Sequence, residues 1–145
     1  IVRRLVGSEM CIRDSIEPEL SQIGYTKKAA EKEFGSKNII CIKHNFMTND
    51  RNITEGNLDG LIHLVAKKNG LLLGATIFGP HAGELIQVCT FAITQKLKLK
   101  ALATLNFPYP SYGEAIKYAA SSLYTQKIFG AKMRWLVNLR FKIFP

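Results

Sequence analysis

Cysteine is scarce, tryptophan occurs once and no apolar run is long, and each scarcity removes a class of protein. Cys11, Cys41 and Cys89 are odd in number and widely spaced, which argues against a disulfide framework, a zinc knuckle or a C-x-x-C redox pair. A reducing, cytoplasmic setting is the expectation. The longest apolar stretches are Leu71–Leu73 and a Leu99–Leu105 run broken by Lys100 and Thr104, so no membrane-spanning helix fits. Arg3 and Arg4 are followed by no apolar segment of signal-peptide length. Gly74, Gly79 and Gly83 make no G-x-G-x-x-G turn, and no G-K-[ST] sequence is present to cradle a phosphate. His44, His63 and His81 fall on separate expected elements without an H-E-x-x-H pattern, and no metal site is expected. Cys41 and Cys89 lie on apolar stripes, where burial raises a thiol's pKa and quiets it, so both are expected in the core.

What is present suffices for one domain with a real core: 145 residues, 47% of them hydrophobic and 10% aromatic. The net charge of +9 is unevenly placed, because residues 96–145 carry nine basic side chains against the single acid Glu114. Two readings of that basic end stay open. It is a solvated helix face, or it docks on anionic lipid or nucleic acid by displacing counterions, with Trp135, Phe141 and Phe144 set among Lys132, Arg134, Arg140 and Lys142 as in an interfacial helix. No nucleic-acid recognition motif accompanies the charge.

Residues 1–15 are expected to be a non-native or disordered leader, since Ser8–Ser15 resembles a translated sequencing-adapter artefact. Glu17-Pro18-Glu19-Leu20 reads as an extended lead-in. Thr26 is a helix N-cap, Lys27–Phe34 the helix and Gly35 its stop. Asn38–Lys43 reads as a strand, and Thr48–Asn57 as a polar turn. Asn69-Gly70 predicts a type I′ hairpin between strands Leu61–Lys67 and Leu71–Phe78. Ala82, Leu85, Ile86, Cys89, Ile93 and Leu97 recur at helical spacing, predicting a helix over His81–Lys96. A further helix begins after Phe107-Pro108-Tyr109-Pro110, with Ser111 and Glu114 as its S-x-x-E capping box and Ile116, Ala119, Ala120 and Leu123 as its buried stripe. Ala131–Phe144, apolar with basic insertions, reads as helix or strand, with helix favoured. The fold class is therefore α+β, an antiparallel sheet flanked by helices.

Glu17-Pro18-Glu19-Leu20-Ser21-Gln22-Ile23-Gly24-Tyr25-Thr26 resembles the E-P-E-x-x-x-V-G-x-T opening of the C-terminal dimerisation domain of FAD-dependent pyridine nucleotide-disulfide oxidoreductases. Asp50-Arg51, Gly60 and the block from Gly74 through Gly79, Ala82, Glu84, Leu85 and Ile86 are similar to later motifs of that domain, over roughly residues 16–125. Residues 126–145 then form a basic helical extension. Where the family has H-P-T-x-x-E, this chain has Tyr109-Pro110-Ser111-Tyr112-Gly113-Glu114. A phenol of pKa about 10 cannot be a resting base at neutral pH as an imidazole can. Phe107-Pro108-Tyr109 resembles the mercuric-reductase-like branch, which also carries tyrosine there.

The resemblance implies a homodimer in which Tyr109 and Pro110 reach the partner subunit's FAD, with Tyr109 and Glu114 as the catalytic-site residues and a cis bond before Pro110. Glu114 has a second reading, as the ordinary acidic member of the capping box. The parent would pass electrons from NAD(P)H through FAD to a cysteine pair, and then to a disulfide or metal ion. The segments that hold those groups lie outside this sequence, so the chain alone is expected to be inactive. The competing reading is a small basic module that docks on an anionic membrane or nucleic acid.

Overall fold

The computed structural model describes residues 12–14, 18–57 and 59–128. The expected helix over Ala131–Phe144, and with it Trp135 and the aromatic-basic cluster, lies outside these residues.

Three strands follow from runs of aliphatic residues. They are β3 (Ile39–Asn45), β4 (Leu61–Lys67) and β5 (Leu72–Phe78). Two more lie on the far side of β5: β2 (Leu20–Gly24) and β1 (Ile12–Asp14). The sheet is antiparallel throughout, in the order β1-β2-β5-β4-β3. The expected extended lead-in thus continues into a paired strand, with Leu20 opposite Phe78 and Gly24 opposite Gly74. Backbone pairing also reaches Ile12–Asp14, inside the stretch set aside as leader.

The hairpin at Asn69-Gly70 forms, but not as a type I′ turn. Only Gly70 lies in the left-handed region, at φ +89. Gly70 N–H donates to the Lys67 carbonyl at 2.8 Å and Lys67 N–H to the Leu71 carbonyl at 2.9 Å, the pattern of a type I turn closed by a left-handed glycine. Asn69 accepts through its side chain from Leu71 N–H at 3.0 Å, a local bond that suits asparagine in this turn. Past the turn, Val65 pairs with Gly74 but Ala66 with Leu72, leaving Leu73 as the extra residue of a bulge. Leu72 packs into the core on one face of the sheet and Leu73 into that on the other, and both are buried.

One face carries the larger core, where Ile62 and Leu64 of β4, Ala75 and Ile77 of β5, Ile42 and Ile23 meet three helices. These are α3 (Ala82–Thr94), α4 (Leu99–Ala103) and α5 (Glu114–Ile128). α3 buries Ala82, Leu85, Ile86 and Cys89 from the expected stripe and also Ala92. It ends at Thr94, two residues short of the expected end, with Gln95 as its C-cap; Lys96 then takes φ +53 and Leu97 N–H donates back to the Ala92 carbonyl at 2.8 Å, the reversal typical of a helix C-terminus. α5 buries Ile116, Ala119 and Ala120 completely and Leu123 in part. Full burial of each large aliphatic contributes about 1.5–3 kcal/mol.

The other face is smaller. α1 (Lys27–Phe34) lays Ala30 against Val65 and Leu73, with Tyr25, Phe34 and Cys41 around them. Its caps are those read from sequence: Thr26 Oγ1 accepts from Ala29 N–H at 3.2 Å, and Gly35 takes φ +81. Close approach explains one glycine here, because a Cβ on Gly74 would strike the backbone of Tyr25.

The segment expected as a polar turn is more ordered than that. It holds α2 (Asp50–Thr54), begun by Asn49, whose side chain accepts from Asn52 N–H at 3.1 Å. Phe46, fully buried, closes the core beneath it.

Candidate functional site

Tyr109, Pro110, Ser111 and Tyr112 form the loop that leads into α5, and the loop is held from below by the segment containing α2. Asn49 is fully buried and donates through Nδ2 to the Ser111 carbonyl at 3.0 Å. Its Oδ1 meanwhile accepts from both the backbone and side-chain amides of Asn52, at 3.1 and 3.0 Å. Asp50, next in sequence, accepts through Oδ2 from the Tyr109 hydroxyl at 3.0 Å. Glu55 accepts from the Tyr112 hydroxyl and pairs with Arg51, while Asn57 Nδ2 donates to the same Tyr112 oxygen at 3.4 Å. The Tyr112 ring lies 4.8 Å from that of His81 and 6.0 Å from the Arg51 guanidinium carbon. A glycine follows because Phe107 leaves no room: a Cβ on Gly113 would overlap that ring.

Within this frame the Tyr109–Pro110 peptide bond is cis, as the resemblance implied. Tyr109 itself is 71% exposed. Its hydrogen bond to Asp50, then the charge of Asp50 and, more weakly, that of Glu114, raise the phenol above its ordinary pKa. It is therefore protonated at neutral pH, as its residue type led us to expect.

Glu114 does not hydrogen-bond Tyr109. Its Oε2 accepts from Ser111 N–H at 3.2 Å and its Oε1 from the Tyr118 hydroxyl at 3.5 Å. The first of these is the return bond of a capping box. The reciprocal bond is absent, since Ser111 Oγ is buried without a partner and helical geometry starts only at Glu114. The Tyr118 ring lies tilted beside that of His44, with centroids 6.1 Å apart and planes at 45°.

On the neighbouring edge, a cleft of about 510 Å³ is lined by Pro18, Glu19, Gly56, Asn57, Asp59, Pro80 and His81. Glu19 also supplies the cap of α3 from a distance, accepting through Oε2 from Gly83 N–H at 2.8 Å, a carboxylate at the positive end of a helix. His81, the residue before α3, sits at φ +57 and makes no side-chain capping bond. The cleft does not fit a dinucleotide: Glu19 and Asp59 line it and would repel a pyrophosphate. Among them, no three of His, Cys, Asp and Glu gather as metal ligands. Cys89, fully buried, has its thiol pushed up to about 12, and burial raises Cys41 as well.

Tyr109, Pro110 and Glu114 thus share one loop and helix start, as the sequence implied. Sequence reasoning missed the brace beneath them, Asn49, Glu55 and Asn57, because a run of polar residues from 48 to 57 reads as solvated turn. The one available signal was Asn49, an N-cap residue type placed directly before Asp50-Arg51. The side chains of the basic extension, on which anionic-membrane docking would rest, lie outside the described residues.

An α+β module with a braced aromatic-proline loop, and no nucleotide-binding turn among the described residues, defines the class. The chain belongs to the family described as pyridine nucleotide-disulphide oxidoreductase, dimerisation domain, which it matches over residues 15–120. It is 34% identical over 112 residues to a dihydrolipoyl dehydrogenase of Thermus scotoductus, covering 77% of this chain and 24% of that protein. It is 33% identical over 112 residues to mitochondrial dihydrolipoyl dehydrogenase 2 of Arabidopsis thaliana, covering 77% of this chain and 22% of that protein. The chain therefore spans about a quarter of the length of these relatives. In fold it is similar to LpdA from Mycobacterium tuberculosis, with a TM-score of 0.72 at 23% identity over 79% of this chain and 25% of the other. The copper complex of the flavoprotein disulfide reductase RclA from Escherichia coli superposes with a TM-score of 0.73 at 18% identity, over 80% of this chain and 26% of the other.

Proposed function

We propose that this chain is the dimerisation part of a flavin-dependent NAD(P)H oxidoreductase of the mercuric-reductase-like branch, and that it completes the active site of a partner subunit. The observation that carries the reading is the loop at Tyr109, held by side chains of α2 and its flanks while the phenol stays 71% exposed. An exposed aromatic on a loop pinned by a buried asparagine at Ser111 suits a surface that meets a second body, since its ordering cost is met before contact. In this reading Tyr109 and Pro110 contact the isoalloxazine end of the partner's FAD.

When bound, that flavin supplies the electron transfer between NAD(P)H and a disulfide or metal-ion acceptor. This chain's own residues orient a neutral phenol toward the reacting groups and exclude water around them. Tyrosine in place of histidine supports the mercuric-reductase-like branch, because a protonated phenol cannot take a thiol proton at rest as a neutral imidazole does. A cytoplasmic, reducing setting belongs to the same proposal, supported by the free thiols of Cys41 and Cys89.

The test is to supply the isolated chain with FAD and NAD(P)H and follow nicotinamide absorbance together with flavin fluorescence. Neither oxidation nor flavin binding is expected. Sustained NAD(P)H oxidation would overturn the reading, because the chemistry would then reside in residues that hold no electron carrier.

A further inference from the structure

We propose that Asp50 is the positioning residue of Tyr109, holding the phenol hydroxyl at 3.0 Å so that the tyrosine meets an incoming group with an oxygen lone pair rather than with its proton. The inference rests on the reading that the Tyr109 loop faces reacting groups, and adds which way round the phenol is used. A phenol has one O–H proton and accepts through the same oxygen. With the proton committed to Asp50 Oδ2, only acceptor capacity is left for a ligand.

Asp50 is well placed to hold that proton. It is the first residue of α2, directly after Asn49, which is buried and bonded to the same loop through the Ser111 carbonyl at 3.0 Å. The two neighbours thus grip the loop on either side of Pro110. Glu114, the carboxylate that the resemblance places in the catalytic site, is occupied with Ser111 N–H and the Tyr118 hydroxyl.

The groups facing the phenol are Asp50 from α2 and Glu114 and Tyr118 from α5. Two carboxylates beside an accepting oxygen favour a group that brings its own proton, such as a thiol, and disfavour an anion such as a thiolate.

The test is a pH titration of the tyrosine ring carbons by NMR on the 145-residue chain, comparing the native protein with Asp50→Asn and Asp50→Ala; Tyr109→Phe identifies the resonance. Native Tyr109 is expected to titrate above the ordinary value of about 10. Its midpoint should fall partway in Asp50→Asn, where a neutral acceptor remains, and furthest in Asp50→Ala. Tyr112, which is held by Glu55 instead, should keep its midpoint in both variants. A Tyr109 midpoint unmoved in both, or an equal movement of Tyr112, would overturn the assignment. The titration reads a contact within one chain, so it is decided separately from whether the chain binds flavin or pairs with a second copy.

Discussion

At the scale of single residues, the site depends on one buried amide bonded through both its oxygen and its nitrogen. Asn49 serves three partners at once, two on Asn52 and one on Ser111. Asn49→Ala would leave those groups buried and unpaired, so a loss of about 1–3 kcal/mol is expected from thermal or urea unfolding. The thiols differ in the same local way. With the Cys89 thiolate pushed up to about 12 inside the core, alkylation at pH 8 should modify Cys41, which is half-buried, and leave Cys89 untouched until the chain unfolds. Mass spectrometry of the labelled native protein checks this. Much at this scale was legible: the Thr26 cap, the buried Cys89, and the carboxylate of Glu114 turned back to Ser111. The turn at Asn69 was misread, since Asn-Gly serves a type I turn followed by a left-handed glycine as readily as a type I′ turn, and only Gly70 has positive φ.

At the scale of elements, legibility followed length and apolar period. α1, β4, β5 and the buried faces of α3 and α5 repeat a clear pattern and form where expected. β2 has only five residues, two of them the polar Ser21 and Gln22, and exists because β5 offers it an edge. α2 and α4 are single turns of five residues each, too short to show a period and stabilised by what they pack on. Truncating Leu85 on α3 or Ile116 on α5 to Ala should cost about 2–5 kcal/mol each, read as a shift in the denaturation midpoint. The strands also predict a pH response. Burial lowers the pKa of His44 on β3 and, first through burial and then through Lys43 and Lys27, that of His63 on β4. A histidine held below its unfolded value contributes stability that is fully present above about pH 6.5 and is lost as the pH falls through the folded value. Unfolding free energy should therefore drop on acidification below about pH 6.5, and His63→Gln should flatten part of that slope.

At the scale of the whole molecule, the described residues form one layered domain, the chain spans about a quarter of the length of its relatives, and the proposed function calls on a second subunit. Sequence reasoning reached the family through motif order, because an antiparallel sheet with helices is compatible with many functions. The most direct measurement is sedimentation equilibrium of the 145-residue chain across the micromolar range. The account predicts reversible, concentration-dependent growth from the 16.2 kDa species to one of twice that mass. A chain that stayed at 16.2 kDa at every concentration would contradict it.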